Sequence, residues 1–493
     1  MTDSLNRTDS NGPAEETDVL ASGHREILPR RLGVVALVAL IVAWNAPVAA
    51  MAGFQQLAIG VGNGIGAPIM FVVAGAVLLI FAVGFVAMSR HSPNPGAYYR
   101  YVVDGLGRPA GLAAAFLATV AYIVFVPGTL LFLGLIFTDM TTRLFGHPVG
   151  NWQVWAIVSI AIITVLGLLR VDLSMRVIGT LVVVEVIIVA LWEGAIFIKG
   201  GPAGYSTDSF SPSNVFSGSP GLAVLFAMLT MIGIETCACF RNEARDPERS
   251  VARATYIGIV YMMVFYALGS WVYIISQGDQ AVAVSTKDPV GSFFNSIDTY
   301  LGSFFVTLTS VILVTSQLAA TNALMAMASR YLHALGRDRS LPKQLARVHP
   351  RLESPYVAVL TVISISSVAV ILSIVSKVDV VAAYAAMTGA GIYLLLPLLV
   401  MTSLAVIVYF RRHPELSPGA WPALVAPVIS AAALVALFVL VTRELKVLTV
   451  TSAGAAIAMI AVVVVPLLGL LLALYYRAKR PEIYARIGNP LEE

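Results

Sequence analysis

Ionisable side chains inside long apolar runs are the first residues in this sequence with chemistry to offer. Glu235 lies in Gly233-Ile234-Glu235-Thr236, and Glu185 and Glu193 lie two turns apart in another apolar stretch. A carboxylate in hydrocarbon costs several kcal/mol, so such a group normally faces a cavity or a partner and is a candidate for proton exchange. Glu235 is the strongest coupling candidate and Glu185 the second; each has a rival reading as a structural hydrogen-bonding group. No Lys, Arg or His falls in the middle of an apolar run, which leaves any protonation switch there to carboxylates. Thr315 and Ser316 offer hydroxyls for a Na⁺ site, although such residues in membrane helices more often bond back to their own backbone. Tyr122 and Tyr384 are candidate pocket walls. Cys237 and Cys239, two residues apart, are poorly placed for a disulfide, and without a nearby His they suggest no metal site.

Backbone can act as a ligand as well. Pro47, within Asn45-Ala46-Pro47-Val48-Ala49-Ala50-Met51-Ala52-Gly53, removes a donor and clashes with the preceding turn, and Gly53 loosens the chain. Gly233 interrupts a second run in the same way. Broken helices expose N–H groups and carbonyls at the bilayer midplane, where a zwitterion can satisfy both ends. Ala49, Ala50, Met51, Ala52 and Gly53, with Gly233 and Ile234, are therefore the backbone binding candidates.

These groups need a scaffold. The chain has 493 residues, 58% of them hydrophobic and only 12% charged. A water-facing surface would demand about twice that charge. A membrane span needs about 20 apolar residues to cross about 30 Å of hydrocarbon. Twelve such runs are predicted near 31–59, 65–88, 109–137, 152–169, 175–198, 219–240, 252–276, 300–328, 356–376, 380–409, 421–441 and 449–476, numbered here as spans 1 to 12. With both termini in the cytosol, 25 of the 31 Lys and Arg fall on the inner side; Arg143, Lys199, Lys287, Lys377, Arg443 and Lys446 fall outside. That bias is the positive-inside pattern, and it places a multi-pass chain in the cell membrane. Residues 1–25 read as a disordered cytosolic tail and 477–493 as a second tail, flanking a membrane domain over 26–476. Stretches 96–107 and 330–347 are expected to form short helices along the membrane surface. No basic patch with interleaved aromatics points to nucleic acid. No HExxH, nucleotide-binding glycine loop or Ser/His/Asp set points to an enzyme or a cofactor.

The breaks in spans 1 and 6 each open a block of five spans, 31–199 and 219–409, with 421–476 as two extra helices. An odd number of spans between equivalent positions inverts the second block. At this point the sequence resembles the amino acid/polyamine/organocation (APC) permease superfamily. The resemblance rests on Ser92-Pro93-Asn94-Pro95-Gly96-Ala97-Tyr98-Tyr99-Arg100-Tyr101-Val102 with Leu106-Gly107-Arg108-Pro109, and on Gly233-Ile234-Glu235-Thr236 with Asn242-Glu243-Ala244-Arg245-Asp246-Pro247-Glu248-Arg249. It also rests on Ala328-Ser329-Arg330-Tyr331-Leu332 running to Gly336-Arg337-Asp338-Arg339-Ser340-Leu341-Pro342, followed by His349-Pro350 and Ser354-Pro355. It implies an all-α, five-plus-five inverted repeat with two C-terminal helices. It further implies a small organic solute bound between spans 1, 3, 6, 8 and 10, and coupling to H⁺ or Na⁺. Two departures bear on the solute. The break in span 1 reads Ala49-Ala50-Met51-Ala52-Gly53, where members often carry Gly-Ser/Ala-Gly. Leu229 stands where cationic amino acid carriers can place an aromatic gate. Both favour a small neutral amino acid or a related acid over an arginine-like solute. The expected solute is a small amino acid or related amine, and the carboxylates put H⁺ ahead of Na⁺ as the coupling ion. A carrier of another solute, such as a carboxylate, and a transporter-like sensor remain as alternatives. Lipid is the one partner the composition names; nothing in it fixes an oligomeric state.

Overall fold

The computed structural model describes residues 33–91, 97–169, 175–233, 244–352, 354–449 and 451–488. Among the described residues, ten helices are long and apolar enough to cross a membrane. The stretch Val34–Ser89 holds spans 1 and 2, and Pro220–Leu229 is the described helix of span 6, which accounts for all twelve. The other spans are Arg108–Phe145 (3), Trp152–Leu169 (4), Met175–Lys199 (5), Pro247–Gln277 (7), Ser303–Arg337 (8), Tyr356–Val375 (9), Val380–Arg412 (10), Trp421–Thr449 (11) and Ser452–Lys479 (12). The protein is an all-α, multi-pass membrane protein. Spans 3 and 10 form its centre: 78% and 72% of their apolar windows are buried, against 17% and 22% for spans 4 and 12. The outward faces of those peripheral spans carry Ile157, Val165, Leu467 and Leu471, as expected where the surroundings are lipid tails rather than water.

Span 1 breaks where its proline demands. Val34–Asn45 ends at Ala46, which takes a left-handed conformation at φ +43°. The residue before a proline is pushed out of the right-handed helical region, and Pro47 then serves as the first residue of the next helical segment, Pro47–Ala50. Asn45 helps to close the first half: its Nδ2 donates back to the Ile41 carbonyl at 3.0 Å. Beyond the break the chain is not unwound. Two π-helical segments, Met51–Gln55 and Ala58–Asn63, carry it to the tight turn before span 2.

Two expectations change at the loops. After span 2 a helix is present as Ala97–Leu106, with Tyr98, Tyr99, Tyr101 and Val102 buried against the protein. The one expected over 330–347 is not separate: span 8 runs on without interruption to Arg337, and only a short turn, Lys343–Ala346, comes after it. Helical geometry at 330–337 thus arises by extension of a membrane helix, not by amphipathic docking. Between spans 7 and 8 the structure also adds helices Ala281–Lys287 and Pro289–Leu301, which the spacing of apolar runs did not separate from the loop.

Candidate functional site

The two breaks meet. Gly233 has φ +109°, a conformation that side chains other than glycine's rarely adopt, and a Cβ built there would stand 2.5 Å from Trp44 Cδ1. Glycine is required twice over, by backbone angle and by the indole at the end of the first half of span 1. Ile234 and Glu235, with Cys237 and Cys239, lie outside the described residues.

Beyond the break, span 1 presents two different sides. Toward spans 3 and 10 it is aromatic. A Cβ on Gly53 would meet the Tyr384 hydroxyl at 2.5 Å and the Phe132 ring at 3.1 Å. Phe132 stacks on Tyr384 with centroids 4.8 Å apart, Phe54 stacks on Tyr384 at 5.6 Å, and Phe54 stacks on Phe125 at 6.2 Å. These rings close directly over Gly53. Phe54, Phe125 and Phe132 were not singled out from sequence; their signal was a Phe next to a break glycine, which is weak without the partner rings.

Toward spans 5, 7 and 8 the same segment is polar. Val48, the first residue of the second half able to donate, gives its N–H to Glu185 Oε2 at 3.3 Å. Glu185 is fully buried, and its Oε1 has no partner among the described residues. A carboxylate at a half-helix N-terminus is favoured by the dipole there, so this residue ties span 5 to the broken segment. Ser316 of span 8 is buried and faces the same carboxyl. One helical step away, Thr315 is exposed on the outer face and bonds back to the carbonyls of Val311 and Ile312. The expected Thr315–Ser316 pair is therefore split, because successive helix residues point about 100° apart; Thr315 takes no part in an internal ion site.

Two turns further along span 5, Glu193 is 9% exposed and its Oε1 is unpartnered, as are both polar atoms of the Gln55 side chain and the Tyr261 hydroxyl among the described residues. Gly269 of span 7 makes the space: a Cβ there would lie 2.3 Å from Met51 Cε, 3.4 Å from Glu193 Oε1 and 3.5 Å from Gln55 Oε1. Met51 thus points at span 7. Its side chain packs in this polar region rather than over the meeting of Trp44 and Gly233.

Ala49, Ala50 and Ala52 are buried within helical turns, so the expectation that 49–53 offers a run of free N–H groups is not met. Only the break itself and the first turn after it leave donors open, and Val48 is already used. Leu229 is buried in the last turn of Pro220–Leu229. Tyr122 stacks on Tyr331 at 5.7 Å and lines a small apolar cavity with Tyr98, Met228, Met231, Ile392 and Leu395. The structure keeps Tyr122 and Tyr384 apart. That cavity measures about 20 Å³, room for roughly one water. Among the described residues no group of three or more His, Cys, Asp or Glu is arranged to hold a metal.

A family model described as amino acid permease matches residues 32–466. The serine/threonine exchanger SteT of Bacillus subtilis is 22% identical over 319 residues, which cover 62% of this chain and 68% of that protein. The aromatic amino acid transport protein AroP of Escherichia coli is 25% identical over 316 residues, covering 60% of this chain and 66% of that one. The chain spans about two thirds of the length of the curated relatives it matches, 64% for the first of them. Among solved structures, a manganese transporter mutant from Eremococcus coleocola shares the fold, with a TM-score of 0.55, 10% identity, and coverage of 91% of this chain and 95% of that one.

Proposed function

The chain belongs to the amino acid permease family, and on that premise we propose that it is a secondary transporter of small neutral amino acids or related amines, coupled to H⁺ and working by alternating access in the cell membrane with both termini cytosolic. The observation that carries this reading is the meeting of the breaks: Gly233 lies against Trp44, with a ring-lined side and a carboxyl-bearing side on the one segment beyond. A zwitterion of amino acid size would bind at the breaks, its carboxylate on open N–H groups and its ammonium on freed carbonyls. Gly53, Tyr384, Phe132 and Phe54 would close over its side chain. Ala49, Ala50, Ala52 and Ile234 would supply walls, with Leu229 and Tyr122 further along the path.

Coupling in this proposal belongs to Glu185, with Glu235 as a second carboxyl on span 6. Charged, Glu185 holds the N-terminal end of the second half of span 1 through Val48; protonation removes the charge that the dipole favours and loosens that hold. Proton binding then biases the position of the segment that forms the site, which is what coupling requires. A Na⁺ site would need Ser316 to give up its place beside Glu185, so H⁺ is preferred.

The test is uptake of labelled serine, threonine, alanine and aromatic amino acids into proteoliposomes under an imposed pH gradient, with a Na⁺ gradient and carboxylates as parallel arms. Gradient-stimulated uptake of a neutral amino acid is expected. Stimulation by Na⁺ alone would remove the proton assignment, and uptake confined to carboxylates would remove the substrate class.

A further inference from the structure

Far from the breaks, a cleft of about 400 Å³ opens between the turn after span 8 and the segment after span 12. Arg339 and Lys343 line it from the first, and Arg480 and Arg486 from the second, with Glu482 as the one acid in the lining. None of the four cations lies within salt-bridge distance of an acid among the described residues, and a further carboxyl, buried Asp338 next to Arg339, feels the charge of Arg486. Ser340 sits between them, 1% exposed, with an Oγ that has no hydrogen-bond partner among the described residues. Its carbonyl is occupied, accepting from the Tyr476 hydroxyl at 3.2 Å. Four positive charges outnumber Glu482 and the neighbouring buried Asp338 around an unused hydroxyl, an arrangement suited to a tetrahedral oxyanion: guanidinium groups bind such oxygens in pairs, and the hydroxyl donates one further bond.

The walls are held in register. Asp338 Oδ2 accepts from the Tyr99 hydroxyl at 2.9 Å and from the Gly488 N–H at 3.5 Å, and the Arg100 guanidinium donates to the Gly488 carbonyl. The chain end after span 12 is thereby pinned to the end of span 8 and to helix Ala97–Leu106. Arg339 occupies the left-handed region at φ +58°, a conformation unfavourable for a residue with a side chain. Glycine would be free there, yet the chain places a guanidinium.

The surroundings indicate the source of the oxyanion. Leu467, Leu471, Leu474 and Tyr475 form one exposed stripe on span 12, at helical spacing, leading toward this corner. We propose that the cleft binds the phosphate of an acidic phospholipid, whose acyl chains lie along the exposed stripe of span 12. A basic pocket at the end of adjoining spans is suited to such a headgroup. The site is separate from the solute path and does not depend on what the transporter carries.

The full chain, purified in a neutral detergent, is titrated with phosphatidylglycerol, with phosphatidylcholine and with inorganic phosphate while its melting temperature is monitored. Phosphatidylglycerol is expected to raise the melting temperature saturably, and phosphatidylcholine to leave it unchanged. Each lost charge should weaken half-saturation about fivefold, so Arg339→Gln with Arg480→Gln should weaken it on the order of 25-fold. Ser340→Ala deletes a hydroxyl that holds nothing in the described fold, so it should fold normally and still bind several-fold more weakly. Arg411→Gln, an exposed cation at the end of span 10 outside the cleft, should bind as the parent does. Equal shifts with both lipids, or unchanged half-saturation in Ser340→Ala and in the double variant alike, would overturn the site. An equal shift from inorganic phosphate alone would overturn its assignment to lipid.

Discussion

The two sides of the second half of span 1 differ in how completely they are satisfied. On the side of spans 3 and 10, Phe54, Phe125, Phe132 and Tyr384 stack around Gly53 at centroid distances of 4.8–6.2 Å. On the side of spans 5 and 7, Glu185 Oε1, Glu193 Oε1, the Gln55 amide and the Tyr261 hydroxyl are buried without partners among the described residues. A buried polar atom left without a hydrogen bond costs about 1–3 kcal/mol, whereas stacked rings gain by being buried. The aromatic side is built to close, and the polar side carries a standing cost that packing does not explain. In the proposed mechanism one segment thus separates two tasks, enclosing a solute and responding to a proton.

That division can be broken first at Glu185. Glu185→Gln keeps an oxygen that can accept from Val48 but cannot ionise. Uptake driven by a pH gradient should fall to background, while solute counterflow without a gradient persists; retained gradient stimulation would take coupling away from the polar side. Next in size is Gly233→Ala, where the left-handed backbone and the Trp44 ring add to a loss of roughly 2–4 kcal/mol in stability, measured as melting temperature, with uptake lost as well. Gly53→Ala should cost about 1–3 kcal/mol through overpacking. Because the nearest clash is with a hydroxyl, adding Tyr384→Phe should recover part of it, and no recovery would show that Phe132 is the barrier. Gly269→Ala on the polar side is the mildest, at about 1 kcal/mol, because the atom it meets is the flexible end of Met51. A larger loss there than at Gly53 would reverse the comparison.

The scaffold was legible because each span announces itself: about 20 apolar residues in a row need no knowledge of partners, and the Lys and Arg bias orders the loops. The break at Pro47 was legible for the same reason, since a proline acts on its own backbone. The role of Gly53 was not. Sequence suggested chain loosening, but its Cβ position is claimed by Tyr384 and Phe132, residues far along the chain from it. Glu185 stands out in the sequence as a buried acid, yet its partner Val48 is 137 positions away. Thr315 and Ser316 could not be ranked, because hydroxyl and amide residues fall on several sides of span 8 and give no hint of which face looks inward. The extension of span 8 through 330–337 was hidden by its charges, which read as a surface helix while belonging to the end of a membrane one.

The two π-helical segments after the break have a mechanical consequence. A π turn accommodates one more residue than an α turn, so each acts as a stored slip in the register of span 1. Tightening Met51–Gln55 into α geometry would rotate the chain beyond it by about 100° and lengthen the segment by about 1.5 Å. The span therefore holds, in its own winding, spare length and rotation just beyond the break.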